Sequence, residues 1–349
     1  MQQEIRFCKS ADGVSLGYAV SGDGPPLVKV ANFLTHLEYD WRSPVVRPFL
    51  LELGRGRTLV RYDPRGCGLS DHDVEDLSLD TWVADLEAVV DAAKVDRFPL
   101  FAHSQGGAIG IAYAARHPER VSHLILLGGW ARPVMKRNLT PAQIDEMRTL
   151  VKLAGIGWGK ENPAYRQVFT SLLIPDSTPE QAASFNELER MCTSAGCAAK
   201  IFSSVGKLDV MDLAPLVQCP TLVLHAKSDA SVPFEEGRII AGLIPNSRFM
   251  LLDGRNHYPL PHEAAWKQLF DEVRSFLSDV PKRFTDLTER ESQVLDLLAR
   301  GLDNAQIAAR LALSEKTVRN HITSIFAKLQ VESRAQAIVR ARDAGMGRL

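Results

Sequence analysis

Nowhere in this 349-residue chain do roughly 18 apolar residues run uninterrupted, so no membrane helix is expected. The opening Met-Gln-Gln-Glu-Ile-Arg-Phe-Cys-Lys-Ser lacks the apolar stretch of a signal peptide, which points to the cytoplasm. Cysteine is scarce: five residues, Cys8, Cys67, Cys192, Cys197 and Cys219, odd in number and without CxxC spacing, fit neither a disulfide scaffold nor a zinc site. No three-residue or seven-residue period runs through the chain, which excludes collagen and coiled coil, and 45% hydrophobic content excludes disorder. A strong charge of either sign is also missing, the net being −1. The near-neutral total conceals an asymmetry. From Pro281 onward there are 12 of the 41 basic and 8 of the 42 acidic residues, net +4, leaving 29 and 34 before it, net −5. A basic tail on an acidic body fits a small nucleic-acid-binding module attached to a larger domain that makes no phosphate contacts.

In the body, runs rich in Val, Leu, Ile and Phe recur at 27–30, 58–62, 98–102, 123–127, 221–225 and 248–252. Most are apolar on both faces, as strands of a helix-covered parallel sheet are, and Leu79, Trp82, Leu86, Val89 and Val90 between them have helical spacing. A doubly wound α/β domain follows, with Pro99 tolerable only near the opening of its strand. Between Leu127 and Thr221 the alternation gives way to helical character with Pro and Gly breaks, read as an insertion. Ser177-Thr178-Pro179-Glu180 marks a helix entry inside it. Trp158, Phe169, Phe185, Met191 and Phe202 could roof a cavity or simply pack the insertion onto the sheet.

His103-Ser104-Gln105-Gly106-Gly107 stands where a strand runs into the helix-like 108–116. Such a turn presents a serine hydroxyl above the sheet, and small residues two before and two after it let strand and helix cross closely. Ala102 takes the earlier place instead of glycine. Asp229 and His257 follow later strands, in the order Ser, acid, His, at the carboxyl edge where such sheets carry their sites. Imidazole would take the serine proton and return it to the leaving group, while the carboxylate fixes the tautomer. Asp229 could instead be a turn residue capping the helix that starts near Phe234. The remaining histidines have no metal spacing, Cys67 reads as an ordinary loop cysteine, and no cofactor or metal is expected.

On these residues, and on Asp63-Pro64-Arg65-Gly66-Cys67-Gly68-Leu69-Ser70, which is similar to a DxRGxGxS loop, the body to about residue 278 resembles the α/β-hydrolase family. The resemblance implies an α/β-hydrolase fold with a helical cap at about 131–213. It also implies catalytic Ser104, Asp229 and His257, with the backbone amides of Phe33 and Gln105 as the oxyanion hole. Relatives carry a His-Gly pair where this chain reads Val30-Ala31-Asn32-Phe33; a displaced oxyanion donor costs roughly a hundredfold or more in rate, so slow turnover is expected.

After a linker at 279–286, residues 287–349 read as a small all-α domain. Thr288-Glu289-Arg290-Glu291 and Ser333-Arg334-Ala335-Gln336 fit capping boxes, and Ser314 can cap a third helix. Asn304 to Leu311, a tight turn, and Glu315 to Leu329 make a helix-turn-helix. Val318, Ile322, Ile325 and Leu329 share its buried stripe. The motif of Leu-Thr-Glu-Arg-Glu, Ile307-Ala308, Ser314-Glu315-Lys316-Thr317-Val318, His321, Lys328-Leu329 and Ser333-Arg334 closely resembles the LuxR-type helix-turn-helix, with Gln330 departing from a common glycine. By that similarity Lys316, Thr317, Arg319, Asn320, Thr323 and Lys328 face double-stranded DNA, and a homodimer on a paired site is expected. The whole therefore reads as a transcriptional regulator whose hydrolase-like sensor takes a small ester, lactone or other carbonyl compound. The alternatives are a working serine hydrolase with a secondary tail, or a combination in which hydrolysis resets the switch.

Overall fold

In a computed structural model the chain is described over residues 2–278, 287–343 and 346–347. Its contacts divide it between Arg274 and Ser275 into two units; the expected linker, 279–286, lies outside the described residues. No described helix is long and apolar enough to cross a membrane.

The first unit is built on a sheet ordered β1-β2-β4-β3-β5-β6-β7-β8, with β1 at Gln3–Lys9, β2 at Ser15–Ser21, β3 at Pro26–Lys29, β4 at Thr58–Tyr62, β5 at Phe98–His103, β6 at Val121–Leu127, β7 at Thr221–Ala226 and β8 at Ser247–Leu252. From β4 across to β8 every pairing is parallel. The six apolar runs are thus strands, and two more were not legible as such. β1 and β2 form an antiparallel hairpin at one edge; β1 is largely exposed, so it lacks the continuous apolar run that marks a central strand. Pro99 is the second residue of β5, and the register against β6 shifts between Phe98 and Pro99. That irregularity absorbs the missing N–H.

Helices α1 (Leu37–Asp40), α2 (Val46–Leu53), α3 (Leu79–Ala92) and α4 (Gly106–Arg116) precede the insertion. The apolar spacing read at 79–90 buries Trp82, Leu86, Val89 and Val90. The insertion supplies α5 (Pro141–Gly157), α6 (Ala164–Leu173), α7 (Pro179–Cys192) and α8 (Ala195–Val205). Thr178 caps α7, its side chain accepting from Gln181 N–H with Pro179 in the first turn, as Ser-Thr-Pro-Glu implied. Trp158, Phe169, Phe202 and Phe33 meet edge to face or tilted at ring-centroid distances of 5.0–5.9 Å, a packing worth more than the area alone. Met191 is instead 38% exposed. Two further helices, α9 (Phe234–Leu243) and α10 (Ala264–Ser278), complete the body.

The second unit holds α11 (Glu289–Ala299), α12 (Asn304–Leu311), α13 (Glu315–Leu329) and α14 (Arg334–Asp343) around Val294, Leu295, Leu298, Ile307, Val318, Ile325 and Leu329. Thr288 and Glu291 cap α11 reciprocally. Ser314 accepts from Thr317 N–H and Ser333 from Gln336 N–H. Ala312, at φ +52°, makes the turn between α12 and α13, and Gln330, at φ +50°, ends α13. Both sit in the left-handed region that favours glycine, which is why the glycine-to-Gln departure falls on a turn.

Candidate functional site

Ser104 follows β5 at φ +56°, a backbone state uncommon for a residue with a Cβ and retained only where the surroundings impose it. Its N–H donates to Leu127 O and its carbonyl accepts from Gly107 N–H, pinning the turn between β6 and α4. A Cβ on Gly106 would stand 3.2 Å from Ala31 O, and one on Gly110 3.0 Å from the Ala102 Cβ. The strand–helix crossing therefore needs small residues, and alanine at 102 is small enough.

Asp229, just after β7, makes contacts in two directions, and neither caps α9, whose N-cap is Pro233. Oδ1 accepts from the N–H groups of Ser231 and Val232, each at 2.8 Å, which forms the turn toward α9. Oδ2 accepts from His257 Nδ1 at 2.8 Å. Burial would raise this carboxyl's pKa, but the His257 ring, the hydrogen bond to it and the Val232 N–H outweigh burial and hold it below its usual range. In the neutral imidazole, Nδ1 donating to the carboxylate leaves the lone pair on Nε2, and Nε2 of His257 is buried without a hydrogen-bond partner among the described residues. Ser104 and His257 line one small cavity of about 30 Å³ together with Asn32, Phe33 and Tyr258.

His103, for which the sequence suggests no metal-binding role, buttresses this arrangement. Its Nε2 is 2.9 Å from His257 O, and its ring lies 4.9 Å from the His257 ring. Burial first, then the neighbouring His257, push its pKa well below the ordinary value, so it stays neutral.

The two expected oxyanion donors differ. Gln105 N–H donates to no acceptor among the described residues, whereas Phe33 N–H donates to the side-chain Oε1 of Gln105 itself at 3.3 Å. One of the two expected donors is thus held by an internal carbonyl. The loop carrying it is anchored from below by Lys29, whose Nζ donates to Asn32 Oδ1 at 3.1 Å. Lys29 is 7% exposed, and burial lowers its pKa to about 8. The signal for it in the sequence is a lysine inside an otherwise apolar strand.

Between the sheet edge and α5, α6 and α8 opens a cavity of about 680 Å³, lined by Ser104, Gln105, Phe33, Phe169, Phe202 and neighbours from the insertion, within the roughly 300–1,000 Å³ of small-molecule sites. The DxRGxGxS-like loop stands apart from this chemistry. Asp63 accepts from Leu37 N–H, Leu69 N–H and the Thr35 hydroxyl, and Arg65 pairs with Asp85; the loop is a structural clasp. Cys67 within it is fully buried, and burial first, then neighbouring thiols, push its pKa well up, so it is not a reactive thiolate.

In the second unit Lys316, Arg319, Asn320 and Thr323 are exposed on α13 and Thr317 is half-buried. The Thr323 hydroxyl donates to Arg319 O. Lys328 behaves differently: its Nζ donates to Glu291 Oε2 at 2.7 Å, fastening the end of α13 to the first turn of α11.

Residues 33–264 match the α/β-hydrolase fold family, and the chain belongs to that family. Residues 285–341 match the bacterial regulatory proteins of the luxR family, so the hydrolase domain is fused to a LuxR-type DNA-binding domain. The chain is 26% identical over 268 residues, 72% of its length and 91% of the relative's, to an AB hydrolase superfamily protein, YisY, of Bacillus subtilis. It is 25% identical over 273 residues, 76% of this chain and 96% of the other, to a pyrrolizixenacetamide deacetylase of Xenorhabdus hominickii. Among solved structures it is similar to the esterase RhEst1 from Rhodococcus sp. ECU1013, at TM-score 0.65 and 26% identity over 79% of this chain and 98% of that one.

Proposed function

We propose that this protein is a ligand-responsive transcriptional regulator in which the hydrolase domain holds a small ester, lactone or other carbonyl compound and the LuxR-type domain reads an operator as a homodimer in the cytoplasm. The observation that carries the reading is the 680 Å³ cavity that reaches Ser104 beneath an aromatic roof, in one chain with a DNA-binding domain. Residues 131–213 act as the cap over it, residues 279–286 join the two parts, and residues 287–349 grip the DNA. Lys316, Thr317, Arg319, Asn320 and Thr323 contact bases and phosphates, with Lys328 chiefly bracing the helix that presents them. By linkage, a ligand alters DNA affinity only as far as it binds the two states unequally.

A second reading, a working serine hydrolase, is favoured by the 2.8 Å bond between His257 and Asp229 and by the strained backbone of Ser104. In it Ser104 attacks, His257 Nε2 takes the proton, Asp229 fixes the tautomer, and the Phe33 and Gln105 amides receive the oxyanion. The captured Phe33 amide supports slow turnover, so that binding or a persistent acyl-enzyme dominates. Ser104→Ala separates the readings. DNA affinity that still changes with ligand supports a receptor; loss of that change together with loss of esterase activity supports coupled catalysis. DNA affinity indifferent to every ester and lactone that enters the wild-type cavity sinks the regulator.

A further inference from the structure

One wall of the large cavity carries more positive than negative charge. Glu236, 2% exposed, is committed to Arg132, whose Nε and Nη2 donate to its carboxylate at 2.8–3.2 Å. Arg137 has no such partner: its Nε stands 3.9 Å from Glu236, beyond hydrogen-bond reach, and is buried without an acceptor. Its Nη2 finds only the Arg132 carbonyl, at 3.4 Å. The guanidinium lies 5.2 Å over the Trp130 ring, whose own N–H is likewise buried without an acceptor. The other carboxylates lining the cavity, Glu146 and Glu235, are exposed, so water screens them.

Two guanidiniums against one buried carboxylate leave this wall with a net charge of +1. A side chain only 12% exposed whose one carboxylate neighbour is 3.9 Å away and hydrogen-bonded to a second guanidinium is incompletely neutralised, which is costly. Burial already lowers the Arg137 pKa, yet a guanidinium keeps its proton, so relief must come from an anion. Away from this wall the lining is mostly apolar: Leu139, Leu150, Val151, Phe169, Leu172 and Phe202.

We propose that the ligand is an amphipathic carbonyl compound with an anionic group, a carboxylate in the simplest case, that sits against Arg137 while its apolar stretch fills the cavity and its carbonyl faces Ser104. The inference rests on the reading of this cavity as the ligand site and narrows it to one chemical class. Arginine suits the task because its planar fork recognises a carboxylate with two parallel bonds.

The test uses full-length Ser104→Ala protein, which cannot consume an ester through that serine, titrated calorimetrically with monomethyl esters of adipic to sebacic acid and with the matching dimethyl esters. The charged monoesters should bind about tenfold or more tightly than the neutral diesters, the scale of one hydrogen bond to a charged group. Arg137→Met should erase that preference by weakening the monoesters about tenfold while leaving the diesters within about twofold, and Arg137→Lys, which keeps the charge, should restore part of it. Diesters that bind as well as monoesters, or a preference that survives Arg137→Met, overturn the proposal and leave the sensor reading standing. Failure of both ester series to bind overturns the proposal, and DNA affinity unmoved by all other carbonyl compounds would separately overturn the sensor reading.

Discussion

Because the Phe33 amide is held at 3.3 Å by the Gln105 side chain, replacing that side chain should accelerate the chemistry, an unusual expectation for a residue beside a nucleophile. Gln105→Met keeps an unbranched chain of similar volume at a site only 1% exposed and leaves the Gln105 N–H in place, but removes the acceptor that competes with a substrate oxygen. An intramolecular hydrogen bond contributes about 0.5–1.5 kcal/mol net. An oxyanion that must displace Gln105 loses up to that amount, equivalent to about two- to twelvefold in rate. The ceiling is set by the whole donor, about 2.7–4 kcal/mol. Gln105→Glu should move the other way, since a carboxylate holds the Phe33 N–H more tightly and repels a developing oxyanion. The assay is kcat/KM for p-nitrophenyl butyrate, with thermal unfolding to verify that each variant is folded. If Gln105→Met leaves kcat/KM unchanged or lower while the protein is intact, Gln105 is not a competitor and the captured-donor argument fails.

Asp229→Asn should lower the acylation rate by about 10⁴, because the amide no longer fixes the tautomer that leaves Nε2 free; single-turnover acylation measures it, and a loss under tenfold would show that the aspartate serves only its turn. Lys316→Ala with Asn320→Ala should weaken operator binding, with the lysine change alone reducing the salt-dependence slope by about 1; unchanged affinity in titrations at several salt concentrations would remove both from the DNA face. Glu291 accepts from Lys328 Nζ, the Ser324 hydroxyl and Thr288 N–H, and these partners, Lys328 first, lower its pKa from 4.5 to about 2. The folded value lies below the unfolded one, so its stabilisation is complete above about pH 4.5 and is lost as pH falls toward 2. Protection factors of α11 and α13 in the full chain, rates corrected for the intrinsic pH dependence of amide exchange, should fall as pH drops through that window, and Glu291→Gln should remove the fall; protection factors that stay constant there would refute it.

How much was legible in advance depended on whether a residue's role is local. The central strands were visible because strands buried on both faces must be apolar throughout, and the helix starts at Thr178, Thr288 and Ser314 because a cap is a contact between residues three apart. The β1–β2 hairpin escaped because an exposed edge strand carries no continuous apolar run, and its register depends on a partner, β4, that lies about forty residues downstream of β2. Lys328 shared the periodicity of the DNA-facing helix, yet its closest polar partner is on another helix, 37 positions away.

What the amino-acid order alone determined is the alternation of strand and helix, the serine at a strand-to-helix turn, and the recognition helix with its buried stripe, since each follows from spacing within about a dozen neighbours. Only folding in three dimensions decided which charges find partners. Asp229 meets His257 across 28 residues, Gln105 reaches Phe33 across 72, and Glu236 turns to Arg132 across 104 while leaving the Arg137 Nε without an acceptor. Hydrogen bonds and ion pairs act over a few ångströms, and a linear chain does not say which distant segments the apolar core will bring that close.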